Sequence, residues 1–184
     1  MTENDFNSWF SGSKMVDRKT KQPNVYYHGT PQAGFTSFDP NKSVDGTFYF
    51  SPDQGVGDSY ASSYSDTDNP AVYPVHLNIR KPLVYGKQVT PAAFGKILKI
   101  AGQFGVQLPP EEIEELQQIP YLTYGSILNR IKLASGQKNI EKQIVSALGY
   151  DGIQASGASV QAFNPNQIKS VFARNHDPNS TEIV

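Results

Sequence analysis

The sequence predicts an α+β fold in which strands from both ends of the chain come together around a helical middle. Three observations predict it. Segments rich in Val, Ile, Tyr and Phe, bounded by turn residues, fall between residues 24 and 84 and again between 152 and 173. The stretch from Thr90 to Leu148 carries apolar residues at helical spacing instead. No repeat, low-complexity tract or linker divides the 184 residues, a length that suits one domain with a substantial core. Residues 90–148 therefore read as a helical insertion or lobe within one split α+β unit. The polar tail 174–184 reads as frayed.

Asp5 to Ser13 reads as a short amphipathic helix, with Phe6, Trp9 and Phe10 at i, i+3 and i+4. Asn24 to His28 is a first strand behind Pro23, and 31–45 is loop anchored by Phe35 and Phe38. Thr47 to Ser51 is a second strand, limited by Pro52, which has no amide hydrogen for a ladder. A short helix over Asp53 to Tyr64 and a turn over Ser65 to Pro70 follow. From Ala71 to Ile79, Tyr73, Val75, Leu77 and Ile79 alternate with Val72, Pro74, His76 and Asn78, the period of a half-buried strand. Lys81 to Val84 extends it. Thr90-Pro91 caps and opens one helix, Pro110-Glu111-Glu112 another, and Tyr124–Leu133 and Asn139–Leu148 are two more. Strands return at 152–155, 159–164 and 167–173.

A net charge of −1 and a pI near 6.3 give no electrostatic reason for nucleic acid to be the partner. Cysteine is absent, which excludes a disulfide framework and a thiolate metal site. His76 has no second histidine at ligand spacing, and Asp58, Asp66 and Asp68 lack a calcium-loop pattern, so no metal is expected. The opening Met1-Thr2-Glu3-Asn4-Asp5 has no signal-peptide pattern, and no apolar run approaches the ~18 residues of a membrane span. The expectation is a protein of the cytoplasm, or one delivered into a host cell by a signal not visible here, without a membrane partner.

The candidate site lies in Val25-Tyr26-Tyr27-His28-Gly29-Thr30, Gly46-Thr47-Phe48-Tyr49-Phe50-Ser51 and Tyr60. A histidine after two tyrosines is by itself an ordinary strand-end residue. Beside Gly29 and Thr30 it gains meaning, because a glycine backbone admits close approach and its N–H and C=O can pair with an amide. Tyr49 and Tyr60, eleven residues apart, offer two aromatic plates. Phe48 and Phe50 point to the opposite face from Tyr49, so this strand is covered on both sides. A polar hook with two plates suits a flat ring with a polar edge.

At these residues the chain resembles the ADP-ribosyltransferase superfamily, in its diphtheria-toxin and poly(ADP-ribose) polymerase branch. The opening Trp9-Phe10, Leu77-Asn78-Ile79-Arg80-Lys81-Pro82-Leu83, Gly149-Tyr150-Asp151-Gly152-Ile153 and Phe163-Asn164-Pro165 resemble the transferase domains of bacterial, phage and plasmid polyvalent proteins. The resemblance implies a split antiparallel β-sheet fold and NAD as substrate. It implies His28 on a ribose hydroxyl, Gly29 on the nicotinamide amide, and Tyr49 and Tyr60 stacked on nicotinamide, with Thr30 and Ser51 lining the site. No dinucleotide-fold glycine motif occurs, so NAD would be held another way. The polymerases' Lys and Ser before the second Tyr are replaced by Val56 and Gly57.

The family's late-strand Glu stands four residues before the aromatic of its strand, which falls here on Ser159, and Gln161 is the nearest longer polar residue on that face. Neither carries the charge that stabilises a cationic ribose, and losing such a group typically costs ~10² to 10³ in rate. Both also suit the solvent face of a strand. Three readings follow: a mono-ADP-ribosyltransferase with His28, Tyr49 and Ser159 or Gln161 as catalytic residues and a macromolecular acceptor, a protein before an RNA; an NAD- or ADP-ribose-binding module; and a structural domain.

Overall fold

In the computed structural model, which describes residues 3–63, 69–155, 159–174 and 176–183, the strands form two sheets. The expected helix end at Tyr64, most of the turn at 65–70, and Asp66 and Asp68 lie outside those residues. β1 (Tyr26–Thr30), β3 (Ala71–Leu77) and β7 (Ile168–Ser170) make an antiparallel sheet in the order β1-β3-β7. β2 (Phe48–Phe50), β4 (Pro82–Val84), β5 (Gly152–Gln154) and β6 (Val160–Ala162) make the other, in the order β2-β6-β5-β4. The β4–β5 pair is parallel, beside the antiparallel pairs of the split fold that the sequence predicts. Parallel neighbours need a long crossover, and the helical stretch between them is one.

The helices are α1 (Glu3–Phe10), α2 (Gln54–Ser62), α3 (Pro91–Gln103), α4 (Pro110–Gln117), α5 (Tyr124–Ser135) and α6 (Ile140–Ala147). Their ends follow local chemistry. Thr90 caps α3 by accepting from Ala93 N at 3.2 Å, with proline in the first turn. The α5 helix stops where Gly136 takes the left-handed conformation at φ 61°.

The four-stranded sheet separates two cores. Phe48, Phe50, Val160 and Ala162 face the other sheet, packing with Tyr26, Val75, Leu77 and Ile168. Opposite residues across a ladder share a face, so Tyr49, Gln161, Ile153 and Leu83 form a row on the reverse side. Ile153 and Leu83 meet the core of α3, α5 and α6 there, whose buried residues include Ile97, Ile127, Leu128 and Ile144. The apolar end of the row is thus sealed by helices. Its polar end reaches the sheet edge.

The tail is anchored near its end. Ile183 is fully buried and its backbone bonds both Thr36 and Ser170. The buried Lys169 ammonium donates to the carbonyls of Ser180 and Glu182. One apolar side chain and one cation hold a segment that polar composition alone marks as loose.

Candidate functional site

The two sheets meet at a single backbone rung. Tyr27 and Ser51 exchange hydrogen bonds, N to O 2.7 and 3.0 Å. The next acceptor on β2, the carbonyl of Tyr49, is bonded by Nδ1 of His28 at 2.8 Å. A side chain therefore takes the place of the next rung, and the strands part there. Backbone groups alternate direction along a strand. Gly29 accordingly turns its N–H and C=O to the same edge as Tyr27, where β2 no longer pairs.

Since a carbonyl can only accept, His28 is the Nδ1–H tautomer, and Nε2 is left as an acceptor. Its ring packs edge-on to Phe38, centroids 4.9 Å apart, and beside Phe50 at 5.5 Å. Burial among these rings lowers its pKa, and the bond to Tyr49 only partly opposes that. Both the burial and the acceptor role left to Nε2 favour the neutral imidazole.

Behind Tyr49 lies a polar cluster that the sequence reading missed. The Tyr49 hydroxyl donates to Oδ2 of Asp45. Oδ1 of the same carboxylate accepts from the Thr47 hydroxyl at 2.7 Å and the Thr47 amide at 3.2 Å. Lys132 of α5 stands 3.4 Å from Asp45 and 3.8 Å from Glu141 of α6, and Glu141 accepts the Tyr85 hydroxyl. Lys142 donates to the carbonyls of Gly46, at 2.9 Å, and Phe163. Gln161 pairs opposite Tyr49, with Oε1 3.4 Å from the Thr47 hydroxyl. Burial acts to raise the Asp45 pKa, but the Tyr49 and Thr47 hydrogen bonds and the Lys132 charge hold it below its usual value. The Tyr49 phenol is pushed well up by burial and by Asp45. Asp45 lies ahead of β2, beyond Gly46 in the left-handed conformation at φ 73°, so the period of the strand does not reach it and the turn brings it back to Thr47 and Tyr49. Lys132, Glu141 and Tyr85 gave no signal in the chain, since only packing of the helices brings them here.

Not all of the expected residues converge in the way the sequence suggests. Gln161 is only 6% exposed, so it does not lie on a solvent face. Ser159 is half-buried just before β6, its carbonyl accepting from Ala155 N at 2.8 Å. Thr30 uses its hydroxyl in a local turn with Gln32, and Ser51 accepts the Asp53 amide at 3.0 Å. Packing also bears on Gly29. A Cβ there would lie 1.9 Å from the carbonyl oxygen of Gly57, so the packing of α2 already requires a glycine at this position. The same close packing brings α2, and Tyr60 on it, over β1. Tyr60 is 62% exposed and Tyr49 44%, and no ring contact joins them among the described residues.

A recess of about 230 Å³ sits in the helical part, lined by Leu98, Ala101, Val106, Leu108 and Ile113, and one of about 260 Å³ lies beside α2 and β3, lined by Asp58, Ala61, Ser62, Pro70, Ala71 and Val72. The candidate site is the surface at which β1 and β2 cease to pair. Among the described residues no helix is long and apolar enough to cross a membrane, and no group of three His, Cys, Asp or Glu residues could hold a metal ion.

Comparison with curated proteins and with solved structures gave no match. The family model described as ADP-ribosyltransferase in polyvalent proteins matches residues 19–177, a span that includes both sheets and the whole candidate site. The α+β architecture agrees with it, and the chain belongs to this family of ADP-ribosyltransferases.

Proposed function

We propose that the chain is an NAD-dependent mono-ADP-ribosyltransferase that passes one ADP-ribose to a macromolecular acceptor, a protein side chain. The observation that carries this reading is the His28–Tyr49 junction. It ends the pairing of β1 with β2, and so leaves an imidazole acceptor and a free-edged glycine beside a half-exposed tyrosine. In this reading Nε2 of His28 accepts a hydroxyl of the nicotinamide ribose, and Gly29 pairs its N–H and C=O with the carboxamide. Tyr49 and Tyr60 stack on the ring, and Thr30 and Ser51 form the rim. The bond from the ribose carbon to nicotinamide breaks with its electron pair going to the ring nitrogen. The acceptor nucleophile takes the electron-poor carbon and gives up its proton. Ser159 or Gln161 fills the third position without a charge, which limits the reaction to single transfer, because nothing there activates a ribose hydroxyl for elongation.

The uncharged third position also favours a second reading, an NAD-binding module without transfer. Calorimetry with NAD, followed by incubation of labelled NAD with host lysate and mass spectrometry, separates the two. Transfer is expected, with Tyr60→Ala weakening NAD binding several-fold. Binding with no transfer favours the module. No binding by the wild type, or undiminished binding by Tyr60→Ala, removes the pocket assignment.

A further inference from the structure

Tyr49 exposes much of its ring while its hydroxyl is committed to a buried carboxylate. Burying a carboxylate is unfavourable unless it is fully paired. Asp45 is so paired, by the Tyr49 hydroxyl, the Thr47 hydroxyl and amide, and the Lys132 ammonium. The face of an aromatic ring is already negative. A phenol that donates to an anion gains further electron density, and its face holds a cation more strongly. The nicotinamide ring of oxidised NAD is a cation, whereas the ring of NADH is neutral.

We propose that Asp45 is a specificity-determining residue which, acting through the Tyr49 hydroxyl, selects the cationic oxidised nicotinamide ring over the neutral reduced one. This rests on the NAD-binding reading above. The other charges of the cluster do not replace it. Lys132 pairs with both Asp45 and Glu141, neither Lys132 nor Glu141 is bonded to the phenol among the described residues, and Lys142 is bound by two backbone carbonyls. Asp45 alone is joined to the ring that would meet the ligand.

The test is the ratio of NADH to NAD dissociation constants, measured by calorimetry on the wild type, Asp45→Asn and Tyr49→Phe. The Asn variant keeps a side chain of the same shape without the charge, and the Phe variant keeps the plate but cuts the link. The wild type is expected to prefer NAD, and each variant to shrink the ratio about fivefold by weakening NAD while NADH changes less than about twofold. General damage to the site would weaken both ligands together and leave the ratio unchanged, which overturns the proposal even if affinity falls. A wild type that binds both forms equally also overturns it. A wild type that binds neither removes the NAD reading and this inference with it. Should Asp45→Asn fail to fold, the Tyr49→Phe ratio decides.

Discussion

Replacing Gly29 with alanine tests the packing that carries α2 over the candidate site. The added Cβ would lie 1.9 Å from the Gly57 carbonyl oxygen, 2.8 Å from its carbon and 3.0 Å from the Ala61 nitrogen. All three are backbone atoms, so no side chain can swing aside. Restoring a separation of 3.0 Å from that oxygen requires α2 to move about 1.1 Å, the difference between 3.0 and 1.9. Overpacking of this kind costs about 1–3 kcal/mol, and a backbone collision belongs at the upper end. Alanine in a strand returns only about 0.5–1 kcal/mol of chain entropy, so destabilisation wins by about 2 kcal/mol. For a chain of this size that lowers Tm by about 4–8 °C. Two matched substitutions calibrate the result. Gly57→Ala would meet the side chains of Val72 at 3.1 Å and Tyr27 at 3.3 Å, and helix propensity offsets the crowding, so a change near zero is expected. Gly95→Ala, inside α3 with nothing within 4 Å, should stabilise by about 1 kcal/mol. Urea and thermal unfolding of the three variants suffice. If Gly29→Ala unfolds within about 0.5 kcal/mol of wild type while Gly95→Ala stabilises, the close approach of α2 to β1 is wrong.

Ser159→Glu should raise NAD cleavage more than Gln161→Glu, because a carboxylate at the buried 161 position would join Asp45 through their shared partner Thr47 and resist ionisation; a larger gain from Gln161→Glu, measured by nicotinamide release, contradicts this. Ile183→Ala, at a fully buried position, should cost about 2–4 kcal/mol in urea unfolding, and a change below about 0.5 kcal/mol would restore the frayed tail. Burial lowers the pKa of both His28 and His176, and Nδ1 of His176 has no partner among the described residues. Below the unfolded value of about 6.5 the unfolded chain then binds more protons, so stability falls as pH drops from about 7 to 5 and is flat above about 7. The slope is at most about 1.4 kcal/mol per pH unit for each histidine. Urea unfolding across pH 5 to 8 that shows stability rising on acidification would reverse the assigned burial.

The chain by itself determined the order and kind of its elements, because those rest on local chemistry. Period-two alternation marked β3, with Val75, Leu77 and Ile79 fully buried as the pattern requires. The Thr90-Pro91 start of α3 needed only neighbouring residues to specify it. The chain also offered His28, Gly29, Tyr49 and Tyr60 as candidates through short motifs, three of them on strands and Tyr60 on α2. Tertiary structure alone decided what those residues do to one another. That Gly29 answers to a helix depends on where α2 packs, and that helix lies 25 or more residues away in sequence. Asp45 became a partner of Tyr49 through the turn at Gly46, but its pairing with Lys132, 87 residues on, and the neighbouring Glu141–Tyr85 contact required the helical lobe to fold back on the sheet. Gln161 is buried because β6 lies inside the sheet, between Tyr49 on β2 and Ile153 on β5, an order of strands that the chain alone does not state. Local propensity is written in a few adjacent residues, whereas a buried charge is stabilised by whatever the whole fold brings within about 4 Å, and one chain read alone does not contain that distance.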